Sequence, residues 1–121
     1  MFTDSHCHLS FPELVSQLPE IRSAMRLAAV DRALCICTTL EEFDTVHGLA
    51  LHPDTEGVTE PTLTDLLERA ALPRVIGIGE TGLDYYRLGG RTVEDMGWQR
   101  ERFRVHIRAG RRTGQPLVIH T

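Results

Sequence analysis

The sequence predicts an α/β domain with a parallel sheet, because apolar strand-like runs alternate with amphipathic helix-like segments. The run Ala33–Thr38 is apolar on both faces, which is typical of a parallel strand that is covered on both sides. The chain has 121 residues, of which 41% are hydrophobic and 25% charged, and this is an ordinary globular composition. That length is enough for one domain with its own hydrophobic core.

Four strands are predicted from apolar runs and the turn residues that flank them. The first begins at Met1 and ends within the stretch 4–9, and the others are expected at 33–38, 74–80 and 116–121. Asp31 and Arg32 are expected to form a short turn before the second strand. No segment near residues 50–60 has strand character, so one strand of the regular alternation is expected to be missing near residues 50–52.

Four helices are predicted between these strands. Pro19 suits the first turn of a helix whose apolar stripe runs to about Val30. The other helices are expected at 39–51 with Thr39 as its cap, at 63–70 with Thr62 or Thr64 as its cap, and at 93–113 with Gly114 as its end.

Charge and cysteine content limit the expected partners and the expected cellular compartment. The net charge of −4 gives no overall attraction to nucleic acid, so a phosphate-bearing substrate would need a local positive centre. Cys7, Cys35 and Cys37 form no disulfide framework and no secretory segment follows Met1, so a cytoplasmic setting is expected. No apolar run approaches the roughly 20 residues that span a bilayer, and no membrane partner is expected.

Cys35 and Cys37 share one face of a predicted strand, so two interpretations are open. They could form a CxC thiolate site or be small core residues, and the strong tendency of free cysteine to be buried favours the core.

Two histidines lie two residues apart in the stretch 4–9, which reads DSHCHL. Side chains alternate across a strand, so His6 and His8 are expected on the same side as Asp4, with Cys7 on the other. Two imidazoles placed in this way can both reach one divalent cation at about 2.0–2.1 Å. The alternative is that they are ordinary polar residues in a loop.

Two later strands also end in metal-type ligands. Glu80 is expected on the face of Ile76 and Ile78, and His120 on that of Val118. Functional groups gather at the carboxyl ends of parallel strands. Imidazole and carboxylate ligands suit Zn, Mn, Fe or Co, and they suit Mg less well. A carboxylate can also bridge two ions about 3.5–4 Å apart that activate a water for hydrolysis.

The stretch 4–9, the run 77–86 (GIGETGLDYY) and the run 116–120 (PLVIH) occur in an order that resembles the TatD-like metal-dependent deoxyribonucleases, which are amidohydrolase-like TIM barrels. The resemblance implies that His6 and His8 bind one metal, that Glu80 bridges two and is the catalytic carboxylate, and that His120 binds the second. It implies two divalent cations per complete site, with Mg, Mn or Zn as candidates, and hydrolysis of phosphodiester bonds in DNA by metal-activated water.

The chain departs from the family pattern at identifiable places. Ser10 stands where the family usually has Asp or Asn, and Leu51 runs almost directly into His52 without the usual preceding strand. A barrel of this type needs about 250 residues, so residues 1–121 are expected to form the N-terminal half of a partial (β/α)8 barrel. This chain as given is therefore expected to have little or no nuclease activity and to self-associate through the open edge of its last strand.

Further residues have a functional and a structural interpretation. His52 could face the site near bound phosphate, and Asp84 and Tyr85 could support ligands or bind substrate, with loop packing as the alternative for each. His47 and His106 are expected at the surface or rim of helices. The arginines at helical spacing could contact a nucleic-acid backbone, although a solvated outer helix face is favoured: Arg100, Arg104, Arg108 and Arg111.

Two rival functions stay open beside a TatD-type nuclease. One is an amidohydrolase-like enzyme that acts on C–N bonds, against which the run GETGLDYY argues. The other is a non-catalytic fragment that binds metal or a partner without turnover.

Overall fold

The computed structural model describes residues 1–48, 59–86 and 88–121. These residues form two compact units, Met1–Thr59 and Glu60–Thr121. Each unit contains one pair of parallel strands together with helices, so the predicted α/β class with parallel strands is confirmed. Within the described ranges the strands form two separate two-stranded sheets, and a closed barrel is not seen.

The first unit contains strands β1 (Phe2–Cys7) and β2 (Val30–Cys35). Its helices are α1 (Pro12–Val15), α2 (Leu18–Leu27) and α3 (Leu40–Gly48). As expected, Pro19 lies in the first turn of α2. Thr39 accepts a hydrogen bond from the backbone N–H of Glu42 at 3.1 Å, which confirms it as the cap of α3.

The predicted boundary between the first long helix and the second strand was wrong by several residues. The helix was expected to reach Val30, but Ala29 has a positive φ of 56°, and this left-handed backbone ends the helix. The strand therefore starts at Val30, and Arg32, expected in a turn, pairs with Thr3 of β1. Beyond the strand, Ile36 is 3% exposed and donates its backbone N–H to the carbonyl of Cys7 at 2.8 Å.

The second unit contains α4 (Leu63–Ala70), β3 (Ile78–Gly82), α5 (Gly97–Thr113) and β4 (Leu117–His120), with a 3-10 turn at Glu94–Met96. Thr62, not Thr64, caps α4 through a reciprocal pair of hydrogen bonds with Asp65. The core of this unit consists of Leu66, Ala70, Ile78 and Ala109, with Leu63, Val105 and Leu117 packed against it.

The third strand was predicted at 74–80 and lies at Ile78–Gly82. Arg74 has a positive φ of 70°, a conformation incompatible with an extended strand, so pairing begins only after it. The remaining boundaries of this unit agree with the sequence to within a few residues, and the left-handed Gly114 ends α5 as predicted.

Three predictions concern residues outside the described ranges. They are the missing strand near residues 50–52, the end of the second predicted helix at about Leu51, and the placement of His52. Among the helices of the described ranges, none combines the length and apolarity that crossing a bilayer requires.

His106 is 5% exposed, so the expectation that it lies at the surface was wrong. It belongs to the inner side of α5, together with Ala109 and Gly110. Its Nδ1 atom is 2.8 Å from the carbonyl oxygen of Arg102 one helical turn earlier. Burial lowers the pKa of His106, and the nearby Arg102 charge acts in the same direction, whereas Glu60 and the bond to the Arg102 carbonyl raise it.

We predict that acidification destabilises the fold through His106. Because burial lowers its pKa in the folded state, the unfolded chain binds the proton more readily. The free energy of unfolding should therefore be highest above the ordinary histidine pKa of about 6.5 and should fall as the pH drops below it. His106→Gln should reduce this pH dependence in urea unfolding at pH 7.5 and 5.5. The exposed-site control Arg104→Gln should retain it, and an equal pH dependence in His106→Gln and the wild type would contradict the prediction.

Candidate metal centre

The two histidines of the first motif meet at the carboxyl end of β1. The Nε2 atoms of His6 and His8 lie 3.3 Å apart, and the ring planes are inclined by 71°. The carboxylate of Asp4 accepts a hydrogen bond from the backbone N–H of His6 at 3.0 Å, which ties this part of the strand together. The expectation that both imidazoles share one side of the chain is therefore confirmed.

The spacing of the two rings fits a shared cation. Two nitrogens 3.3 Å apart can both lie about 2.0–2.1 Å from one ion, with an angle at the ion of roughly 110°. This angle is close to the tetrahedral value that zinc prefers. His6 is exposed and His8 half-buried, so ligand atoms from solvent or from other residues can complete the coordination.

Cys7 lies between the histidines in sequence but contacts the neighbouring strand instead. Its Sγ donates to the carbonyl of Leu34 at 3.3 Å and lies 3.9 Å from Sγ of Cys35. Burial raises the pKa of the Cys7 thiol to about 12, and the proximity of Cys35 adds to this effect. Cys7 is thus a thiol packed against β2.

Cys35 and Cys37 contact different groups, which favours packed cysteines over a CxC thiolate site. Cys35 faces Cys7 across the parallel pair, whereas the Sγ of Cys37 donates to the carbonyl of Thr39 at 2.9 Å. The three cysteines form no disulfide with one another, and each is half-buried. The contact between Cys7 and Cys35 was not foreseen, because it depends on the register in which β1 pairs with β2.

A second set of donors lies in the second unit, where β3 and β4 run side by side. Nδ1 of His120 is 2.8 Å from Oε1 of Glu80, and its Nε2 is 3.6 Å from Oδ2 of Asp84. The structure thus brings together two predicted ligands and one of the predicted supporting residues. An imidazole between two carboxylates matches a frequent arrangement at metal sites, in which one carboxylate binds the ion and the other orients the histidine.

The strand around Glu80 departs from simple alternation. Ile78 pairs with Leu117 and Thr81 pairs with Ile119, so three residues of β3 span two of β4. This extra residue makes Thr81 the next buried position after Ile78, so β3 does not follow the strict alternation from which the face of Glu80 was predicted. Thr81 is 5% exposed, and among the described residues its hydroxyl has no hydrogen-bond partner.

The loop after β3 is attached to the start of α5. Oε1 of Gln99 accepts a hydrogen bond from the backbone N–H of Asp84 at 3.1 Å, and Nη1 of Arg100 lies 3.4 Å from the hydroxyl of Tyr85. Asp84 also accepts from the backbone N–H of Tyr86 at 2.9 Å. The contact of Gln99 with this loop could not be predicted, because the sequence signals only a helix position there.

Arg100 does not belong to the solvated helix face that was predicted for it. It is half-buried and donates to the carbonyl of Val93 at 2.6 Å. Arg104 and Arg108 do lie on an exposed face, where each is 3.3 Å from a carboxylate oxygen of Glu101. The outer-face interpretation thus holds for these two arginines and fails for Arg100.

Comparison with known proteins agrees with these motifs. The sequence profile of the family described as "TatD related DNase" matches residues 3–121. The "Uncharacterized metal-dependent hydrolase YcfH" of Escherichia coli K12 is 33% identical over 133 residues, which cover 98% of this chain and 48% of that protein. The "Uncharacterized metal-dependent hydrolase TatD" of Mycobacterium tuberculosis H37Rv is 30% identical, with 97% of this chain and 50% of that protein covered.

A mouse protein with the name "Putative deoxyribonuclease TATDN3" is 28% identical, and the match covers 98% of this chain and 47% of the mouse protein. The chain therefore spans about half the length of the curated relatives it matches. Because the family profile extends over almost every residue, including all three motifs, the chain belongs to the TatD related DNase family.

Proposed function

We propose that this chain provides metal-binding residues of a TatD-type metal-dependent hydrolase that cleaves phosphodiester bonds in DNA. The observation that carries the proposal is the 3.3 Å separation of the His6 and His8 Nε2 atoms, which suits two ligands of one divalent cation. Relatives named as metal-dependent hydrolases support the chemistry, and the mouse relative named as a deoxyribonuclease supports the substrate class.

We assign the ligands to two ions. His6 and His8 would hold the first, His120 would hold the second, and Glu80 would bridge them as the catalytic carboxylate. When bound, divalent ions supply Lewis acidity and activate water for hydrolysis. The close approach of Glu80 to His120, at 2.8 Å, supports the assignment of both to one ion. Mg, Mn and Zn are the candidate ions, because carboxylate oxygens suit Mg and Mn and imidazole nitrogens suit Zn.

The protein's own residues orient these donors. Asp84 lies 3.6 Å from Nε2 of His120 and would help to orient the imidazole when Nδ1 binds the ion beside Glu80. The half-buried Tyr85 would contact the substrate or support the loop. His52 lies outside the described ranges, so its contact with phosphate stays a prediction.

Partners and setting follow from the same reasoning. DNA is the proposed partner. Cys7, Cys35 and Cys37 form no disulfide with one another, which supports the cytoplasm as the proposed compartment. Self-association through β4 stays a prediction, and the 55% exposure of Ile119 on that strand supports it.

We predict that loss of both first-motif imidazoles abolishes high-affinity binding of Mn²⁺ or Zn²⁺. The double change His6→Ala and His8→Ala removes two nitrogens that lie within reach of one ion. Isothermal titration calorimetry measures the affinity. Cys7→Ser is the matched control. The Cys7 thiol contacts Leu34 and Cys35, so its replacement should leave the affinity nearly unchanged. Unchanged affinity in the double variant would contradict the assignment.

The test of function is an assay of the purified native protein with added Mg, Mn or Zn. Hydrolysis of a DNA exonuclease substrate is measured in parallel with hydrolysis of a panel of amides. Glu80→Gln keeps the shape of the side chain but removes the charge that bridging requires. We expect bound metal to fall from up to two ions per chain to one or none in elemental analysis. Hydrolysis should fall by more than about 100-fold, since loss of even an outer partner of a ligand costs about 10–100-fold.

Three outcomes would contradict parts of the proposal. Two ions retained in Glu80→Gln would refute the bridging role. Cleavage of amides without cleavage of DNA would identify the C–N hydrolase alternative. Metal binding without turnover of either substrate would identify a non-catalytic metal-binding protein.

A further inference from the structure

We propose that Gln99 is a positioning residue of the metal centre. Its side-chain oxygen holds the backbone of Asp84 and thereby places the Asp84 carboxylate beside His120. This inference rests on the proposed function, because it assigns His120 to a metal site. It adds a residue of α5 that acts on the site through the loop after β3.

The two carboxylate oxygens of Asp84 make different contacts. Oδ1 accepts a hydrogen bond from the backbone N–H of Tyr86 at 2.9 Å, so it is used within the loop. Oδ2 lies 3.6 Å from Nε2 of His120 and faces the candidate ligand. A carboxylate that is fixed through one oxygen can orient an imidazole with the other, provided that its own backbone is held in place.

Regular secondary structure does not hold the backbone of Asp84. Asp84 follows the end of β3 at Gly82, and residues 83–85 belong to no helix or strand. The bond from the Asp84 backbone N–H to Oε1 of Gln99, at 3.1 Å, connects the loop to a helix 15 residues further along the chain. Functional groups need to be held to within about 0.5 Å of their working geometry, and an anchor of this kind supplies that precision.

The helix that carries Gln99 is itself rigid. Gln99 lies in the first turn of the 17-residue helix α5, which contributes the fully buried Ala109 to the core of the unit. The neighbouring Arg100 reinforces the attachment. It donates to the carbonyls of Val93 and Glu94 at 2.6 and 3.1 Å and lies 3.4 Å from the Tyr85 hydroxyl. Two consecutive helix residues thus hold two consecutive loop residues.

The experiment compares two replacements of Gln99, one that removes the acceptor oxygen and one that keeps it. Gln99→Met keeps an unbranched side chain of similar length but has no comparable acceptor for the Asp84 N–H. Gln99→Glu keeps an acceptor oxygen at the same position. Arg104→Met, on the exposed face of the same helix, is the matched control for the loss of a polar side chain.

Two measurements are made on each purified variant. Amide hydrogen exchange by NMR, recorded without metal, reports whether the Asp84 N–H is still protected, with the Ala109 amide as the internal control for global stability. Calorimetry with Mn²⁺ reports the affinity of the site. In Gln99→Met we expect Asp84 exchange to be about 5–10-fold faster with Ala109 unchanged, as for the loss of one hydrogen bond.

The affinity for Mn²⁺ should fall by about 10–100-fold in Gln99→Met, the range typical of lost support around a ligand. Gln99→Glu and Arg104→Met should each stay within about 3-fold of the wild type, which is a small change on that scale. The rescue by glutamate separates positioning from a simple loss of stability, because both replacements change the same site.

Specific results would overturn the inference. Unchanged Asp84 exchange in Gln99→Met would show that Gln99 does not anchor the loop. Faster exchange with unchanged Mn²⁺ affinity would show that the anchor does not position the site. A wild-type protein that binds no divalent metal would overturn the proposed function as a whole, whereas wild-type binding that Gln99→Met leaves intact would overturn only the role of Gln99.

Discussion

The arrangement around Glu80 depends on the close approach of β3 to β4. A side chain at Gly79 would place its Cβ 2.6 Å from the carbonyl oxygen of Val118, and one at Gly82 would collide with the carbonyl of His120. Both glycines also have a φ of 150°, which other residues rarely adopt. The absence of these two side chains lets the strands lie close enough for the Glu80 carboxylate to reach the His120 imidazole at 2.8 Å.

In the first unit, the alternation of side chains across β1 places the imidazoles and the thiol of the first motif on different sides of the strand. The imidazoles of His6 and His8 meet on one side, while the thiol between them packs against Leu34 and Cys35. Burial raises the pKa of that thiol, and its contacts lie on the neighbouring strand. Strand pairing thus supplies both the ligand pair and the apolar support behind it.

Helix α5 connects stability with the candidate site in the second unit. Its inner side provides Ala109 and His106 to the interior, and its first turn provides Gln99 and Arg100 to the loop after β3. A single rigid element therefore packs the core and supports the residue beside His120. This coupling explains why Arg100, at the same helical spacing as the solvated Arg104 and Arg108, is half-buried.

The sequence by itself determined the α/β class, most of the helices, the pairing of His6 with His8 and the family to which the chain belongs. These features depend on local periodicity, capping residues and short motifs, all of which can be recognised along the chain. Helix and strand boundaries near Ala29 and Arg74 could not be predicted, because both residues adopt left-handed backbone that their side chains do not signal. Only the tertiary structure decided the extra residue in β3 that buries Thr81, the contact of Cys7 with Cys35, the burial of His106 and the bond from Asp84 to Gln99. Each of these joins segments whose relative register is set by packing, and packing between distant segments leaves no periodic signal in the sequence.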